Sequence, residues 1–181
     1  MRTALIGRTR ELDDLAARTR DSRLITVVGP GGVGKTALAH AAAERLADQY
    51  PMGASHVDLT RIEDPSAVLG AMAAQLGFDS WDGLMTSPAD RPMLLVVDNC
   101  EHLLDATAVA VGQVLGACRQ PTIVATSRSP LDLPGESVVS LAPLALPHVG
   151  DDPRECPSVA LFLQRSRDAG GEIADEDLDA V

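Results

Sequence analysis

Residues 24–36 constrain the fold more than any other stretch of this chain. Leu24-Ile-Thr-Val-Val28 is an apolar, largely β-branched run, and Gly29-Pro-Gly-Gly-Val-Gly34 breaks it. Lys35-Thr36 then opens an alanine-rich segment that reaches Gln49, just short of Pro51. A strand without polar alternation has no face to give to water, so both of its faces must be covered. A helix reached through so short a loop supplies one cover and carries the chain back to begin a neighbouring parallel strand. The rest of the chain repeats the pattern. Met93–Val97 and Thr122–Thr126 are further apolar strands, while His56–Leu59 and Val138–Leu141 are weaker ones. Between them the periodicity predicts helices over Thr9–Thr19, over Pro65–Leu76 behind a capping Asp64, and from beyond Asp98 to Cys118. The expectation is an α/β fold of three layers, αβα, around a parallel sheet. Only 2% of the residues are aromatic, so Leu, Val, Ile and Ala have to fill its core.

Residues 78–92, rich in Gly, Ser, Asp and Pro, read as a mobile loop. Past Leu141 the prolines at 143, 147, 153 and 157 interrupt any period. The domains expected are a core over 1–145, a linker over 146–157, and the beginning of a helical unit over 158–181. In that unit Ser158–Ala169 is helical, Gly170-Gly171 stops it, and Asp175 caps the start of another helix.

The net charge of −11 argues against nucleic acid as a direct partner of this segment, because an acidic surface repels phosphodiesters. No run approaches the roughly 20 apolar residues of a membrane span. The charged N-terminus, from Arg2 to Asp14, leaves no room for a signal peptide. A cytoplasmic location without a membrane partner is expected. Cys100, Cys118 and Cys156 are far apart and form no C-x-x-C, which speaks against a disulfide framework or a cysteine metal site.

Gly29-x-x-x-x-Gly34-Lys35-Thr36 matches the Walker A pattern, and its setting between a buried strand and a helix is the one that the chemistry needs. Glycines let the backbone turn with positive φ and aim N–H groups at phosphate oxygens. The helix start adds unpaired amides and the positive end of its dipole. Lys35 would reach the β- and γ-phosphates, and the Thr36 hydroxyl would ligate Mg²⁺. Of the 15 Lys and Arg residues, Lys35 is the single lysine. A compact ammonium on a flexible stem is what this position requires. The nucleotide-binding set is Pro30, Gly31, Gly32, Val33, Gly34, Lys35, Thr36 and Ala37.

Met93-Leu-Leu-Val-Val-Asp98 has the form of a Walker B strand, an apolar run closed by an acid that would hold the metal's hydration shell; an Asp so placed could also cap the helix that follows, and the Walker A match favours the metal role. Asn99 comes next and cannot act as a base. The nearest acid is Glu101, placed at the start of the following helix. It is a candidate for activating water and equally a favourable charge in a first helical turn. Thr126, Ser127 and Arg128 end the next strand, at the sheet edge where ligands lie in open α/β folds. Arg128 could sense a γ-phosphate there. The candidate catalytic residues are thus Lys35, Asp98, Glu101 and Arg128, and the candidate metal ligands Thr36 and Asp98.

With these residues in place, the chain resembles the STAND class of P-loop ATPases, relatives of the AAA+ and NB-ARC domains. More narrowly, it resembles the ATPase domain of large bacterial LuxR-type and SARP-type transcriptional regulators. The likeness is carried by Leu5-Ile-Gly-Arg8 with Glu11, by Thr26–Thr36 with Leu38-Ala39, and by Leu95-Val-Val-Asp-Asn-Cys-Glu-His-Leu-Leu104. It continues in Ala125-Thr-Ser-Arg128 with Pro130-Leu131, in Gly135-Glu136, and in Leu141-Ala-Pro-Leu144. The resemblance implies a five-stranded sheet of order 5-1-4-3-2, and it places Ile6, Gly7 and Arg8 near the adenine and ribose. It implies a switch that rests with ADP, is opened by ATP and hydrolyses slowly with Mg²⁺. Asn99 departs from the double acid of many relatives. Such domains continue through a helical lid and a winged helix, so residues 158–181 would begin a truncated lid of a longer protein, one that could self-associate. DNA binding would then belong to parts outside this segment. Two other readings stay open: a P-loop small-molecule kinase, which needs an arginine-rich lid, and a non-catalytic scaffold that keeps ADP. A GTPase is disfavoured, because no Asn-Lys-x-Asp motif occurs.

Overall fold

Three strands are apolar because each has neighbours on both sides. β1 (Leu24–Val28), β3 (Met93–Asp98) and β4 (Pro121–Ser127) lie inside a five-stranded sheet, with β2 (Ala54–Asp58) and β5 (Glu136–Ser140) at its edges. The order is β2-β3-β4-β1-β5, and every pairing is parallel. Counted from the other edge this is the expected 5-1-4-3-2. Every residue of β3 and β4 is buried. Each edge strand fully buries only its fourth residue, Val57 or Val139, which is why the edge strands were the weak ones in sequence.

The computed structural model describes residues 5–86, 92–148 and 152–171. They fall into two units, one from Arg10 to Leu141 and one that joins the chain up to Thr9 with the chain from Ala142 onward. The larger unit holds the sheet and its covers. α3 (Ala67–Gln75) and α5 (Leu104–Ala117) cover one face: Val68, Met72, Ala110, Val111 and Val114 pack with Leu95, Val97, Ile123 and Ala125. Leu94, Val96 and Val124 alternate with these and are equally buried on the opposite side. There α2 (Lys35–Leu46) lies against β3 and β4 and buries Leu38, Ala39, Ala42, Ala43 and Leu46, the spacing of a single helical face. α1 (Thr9–Arg18) buries Leu15 and Ala16. In the smaller unit, a turn at Pro153–Glu155 precedes α6 (Pro157–Asp168). The helix expected from Asp175 lies outside the described residues.

The structure differs from the sequence reading at three places. Residues 78–92 are not loop throughout: α4 spans Trp81–Thr86, and residues 87–91 lie outside the described set. Leu84 packs with Ala73 and Cys118, and Phe78 and Trp81 flank it. Trp81 and Leu84, three residues apart on α4, turn to the same side of the helix, and Phe78 joins them from the segment ahead of it; the polar residues between them hid this pattern. α3 begins at Ala67 rather than Pro65. The Asp64 carboxylate accepts from the Ser66 amide at 2.9 Å and the Ser66 hydroxyl at 2.8 Å, so it closes a turn ahead of the helix. Finally, a tight turn at Cys100–His102 separates β3 from α5. Glu101 therefore lies on that turn and not in the first turn of the α-helix.

Candidate functional site

β1 runs out at Val28, and Gly29–Gly34 crosses the C-terminal edge of the sheet. The Gly29 amide donates to Ser127 O at 3.3 Å, and Leu141 N donates to Val28 O at 2.7 Å. These bonds bring Leu141 so close that a Cβ on Gly29 would stand 2.5 Å from its carbonyl oxygen. Gly32 and Gly34 hold φ of 77° and 100°, values that side chains resist. The absence of a Cβ lets the turn keep them; a Cβ at either position would meet no heavy atom within 4 Å, so the restriction there is one of backbone and not of space. Val33 N bonds Pro30 O at 3.5 Å and Leu38 N bonds Gly34 O at 3.0 Å. Among the described residues, the amides of Gly32, Gly34, Lys35 and Thr36 meet no acceptor. The last two belong to the first turn of α2, where amides have no partner within the helix. The result is a cradle of N–H groups at the positive end of a helix.

Lys35 folds back over the cradle. Its Nζ donates to Gly29 O at 2.9 Å and Pro30 O at 3.0 Å, and the residue is only 7% exposed. Thr36 turns the other way, and its hydroxyl lies 2.9 Å from each oxygen of Asp98. Asp98 is the last residue of β3 and 6% exposed. The structure thus joins two residues 62 positions apart, the pair picked from sequence as metal ligands. A hydroxyl and a carboxylate are hard oxygen donors that suit Mg²⁺, which ordinarily takes few protein ligands and fills its remaining positions with water and phosphate. Among the described residues, no group of three or more His, Cys, Asp or Glu is placed to hold a metal.

Asp98 has further partners. Thr126, fully buried in β4, donates its hydroxyl to Asp98 Oδ1, and Thr126 Oγ1 in turn accepts the Asn99 backbone N–H at 3.1 Å. Asn99 sits in the left-handed region at φ 62°, which Asn tolerates better than most residues. Its side-chain amide donates to Asp98 Oδ2 at 3.1 Å and to Thr60 Oγ1 at 2.9 Å. Asp58 is the register partner of Asp98 on the next strand. Hydrogen bonds from the Thr60 hydroxyl and amide hold its carboxyl below the usual range.

Arg128 follows β4 and leans over the cradle: a Cβ on Gly31 would be 3.4 Å from its Nη2. Its Nε is 3.3 Å from Glu101 Oε1, with the Arg128 side chain 67% exposed and that of Glu101 22%. Glu101 Oε2 is buried without a hydrogen-bond partner. Two candidates chosen separately, for water and for phosphate, thus hold each other. Cys100, beside them, is a core thiol whose burial pushes its pKa up to about 12, so it is no nucleophile. His40 and His56 stack with ring centroids 4.1 Å apart. Burial first, and then the neighbouring His40, lower the His56 pKa.

Ile6, Gly7 and Arg8 belong to the smaller unit. Within it, Gly7 turns at φ 68°, and the Arg8 guanidinium donates to Ala142 O at 2.6 Å. The sequence reading gave no role to Thr126, Thr60 or Asp58. One signal was available: Asp58 closes a strand in the same way as Asp98.

No family model matches the chain. It is 33% identical over 178 residues to an uncharacterized protein of Mycobacterium tuberculosis, which covers 95% of this chain and 43% of that protein. It is 44% identical over 131 residues to another protein of that organism, named "Putative HTH-type transcriptional regulator", covering 67% of this chain and 14% of that one. The chain therefore spans less than half the length of these curated relatives. Among solved structures it is similar to Cdc6p from Pyrobaculum aerophilum, with a TM-score of 0.61 at 17% identity over 96% of this chain and 52% of that one. It is also similar to the Signal Transduction ATPase with Numerous Domains protein with a tetratricopeptide repeat sensor from Pyrococcus horikoshii. There the TM-score is 0.55 at 18% identity, over 96% of this chain and 27% of that one. At such identities the likeness speaks for the fold, and the parallel sheet of order β2-β3-β4-β1-β5 agrees with it. The chain has the three-layer α/β fold of the P-loop ATPases.

Proposed function

We propose that this chain is an ATP/ADP-binding switch domain with weak Mg²⁺-dependent ATPase activity, part of a larger transcriptional or signalling regulator. The observation that carries the reading is the joining of the Thr36 hydroxyl to the Asp98 carboxylate beneath a cradle of amides without acceptors. The cradle would take the phosphates, and Lys35 would leave the Gly29 and Pro30 carbonyls for them. Thr36 and Asp98 would hold the metal, which when bound draws negative charge off the phosphate oxygens. Arg128, exposed above Gly31, is the residue to meet a γ-phosphate. Ile6, Gly7 and Arg8 are assigned to the base and sugar on the resemblance of the Gly7-Arg8 pair, which supports adenine over guanine. The regulator context rests on the likeness to the longer mycobacterial protein and on the STAND-like fold.

One observation favours a second reading, in which the domain holds ADP and scarcely hydrolyses ATP. Glu101 is tied to Arg128, and Asn99 stands where a second acid would be. The two readings part on turnover. In the test, a fluorescent ADP analogue with Mg²⁺ is displaced by ATP, ADP and GTP, and phosphate release is followed in parallel. ADP and ATP should displace the analogue and GTP should not. Displacement by GTP at equal concentration overturns the adenine assignment. Failure of any nucleotide to bind overturns the function as a whole, and the absence of phosphate release leaves the ADP holder.

A further inference from the structure

Asp98 carries the metal assignment, yet in this structure Thr36 spends its hydroxyl on that carboxylate. A threonine that ligates a cation must turn a lone pair toward it, and the carboxylate then loses a partner at the moment it is needed. An acid with no other anchor would be free to rotate. Asp98 has two others. Thr126 Oγ1 receives the Asn99 N–H at 3.1 Å, which directs its single proton to Asp98 Oδ1. Asn99 Nδ2 takes Oδ2 at 3.1 Å and is itself held by Thr60 Oγ1 at 2.9 Å. Thr126 is fully buried, so water cannot replace its hydroxyl. Thr126 comes from β4, Thr60 from the turn after β2, and Asn99 from the end of β3, so the ends of three strands converge on one carboxylate.

We infer that Thr126, with Asn99, is a positioning residue for Asp98: the pair fixes both carboxylate oxygens independently of Thr36, so that the acid keeps its orientation when the threonine exchanges it for a cation. The inference rests on the metal role given to Asp98 above. It also gives a reason for Asn99 in place of a second acid. A carboxylate at that position could not donate to Asp98, and it would repel both Asp98 and Asp58.

The test is a Mg²⁺ titration of nucleotide affinity, read by a fluorescent ADP analogue, in the parent chain, Thr126→Val, Thr126→Ser and Asn99→Gly. Valine keeps the shape and removes the hydroxyl, serine restores it, and glycine keeps the left-handed backbone while removing the amide. Outer-shell partners of metal ligands are commonly worth roughly tenfold or more in metal affinity. Thr126→Val should therefore raise the Mg²⁺ midpoint about tenfold while leaving affinity in EDTA unchanged. Thr126→Ser should return it, and Asn99→Gly should raise it independently, so the inference stays testable if the valine protein does not fold. If the parent responds to Mg²⁺ and neither folded variant shifts the midpoint, the positioning role is wrong while the metal site stands. If EDTA affinity falls along with the midpoint, Thr126 acts on the fold alone and the inference is overturned. If the parent shows no Mg²⁺ response, the metal assignment falls first and takes the inference with it.

Discussion

The same substitution, glycine to alanine, should have opposite effects at two positions of this chain. Gly34 holds φ at 100° and Gly70 lies within α3, and a Cβ at either meets no heavy atom within 4 Å. Steric clash is thus absent at both, and only the backbone separates them. Holding an L-residue in left-handed conformation costs about 1–2 kcal/mol. Replacing a helical glycine by alanine returns about 0.5–1 kcal/mol. For a chain of this size each kcal/mol moves the melting temperature by roughly 2–4 °C. Gly70→Ala should then melt about 1–4 °C higher than the parent and Gly34→Ala about 2–8 °C lower. The ligand response should divide them further. Nucleotide at about a hundred times its dissociation constant stabilises by about 2.7 kcal/mol, or roughly 5–10 °C here. Gly70→Ala should keep this increment. Gly34→Ala should lose most of it, because a loop that relaxes toward negative φ turns its amides away from the phosphates. Differential scanning fluorimetry with and without Mg·ADP reads both quantities. A Gly34→Ala protein with the parent's melting point and the parent's increment would refute the claim that this turn's left-handed geometry presents the amides.

Lys35→Ala should weaken nucleotide binding with or without metal, whereas Asp98→Ala should remove only the Mg²⁺-dependent part; titrations in Mg²⁺ and in EDTA separate them, and an Asp98→Ala protein with normal Mg²⁺-dependent binding excludes Asp98 as a ligand. Glu101→Gln should leave ADP affinity in place and slow phosphate release, and an unchanged rate removes Glu101 from the chemistry. The His56 pKa is lowered from 6.5, so above that value His56 is neutral in both states, and its contribution to stability is fully present. As the pH falls below it, the unfolded chain takes up the proton first and the native state loses stability. Melting curves between pH 8 and pH 5, roughly spanning the ordinary histidine range, should show this loss in the parent and a flatter profile in His56→Phe, which keeps the ring stack without the titration.

Much of the fold was legible because local pattern answers a local question. The apolar runs at 24–28, 93–97 and 122–126 had to be interior strands, since a residue buried on either face of the pleat leaves no polar alternation. The glycine spacing between 29 and 34 required a turn of positive φ and a helix start, which is also the geometry of a phosphate cradle. Strand order was not written in any of these segments and came from resemblance. α4 was missed for the converse reason: six residues in which Trp81 and Leu84 turn inward make too short a period to stand out among polar neighbours, and only packing of Leu84 against Ala73 and Cys118 selects it.

The sequence by itself determined the cradle, the lysine beside it and the acid at the end of β3, because each follows from residues within a few positions of one another. Only the tertiary structure decided what surrounds that acid. Thr36, Thr126 and Asn99 meet at Asp98 because parallel register sets the ends of β3 and β4 beside each other and brings the start of α2 over them. Register is fixed by burial across the whole sheet and not by any one segment. The same cause pairs Glu101 with Arg128, residues 27 positions apart. Neither residue's neighbours in sequence carry information about the other.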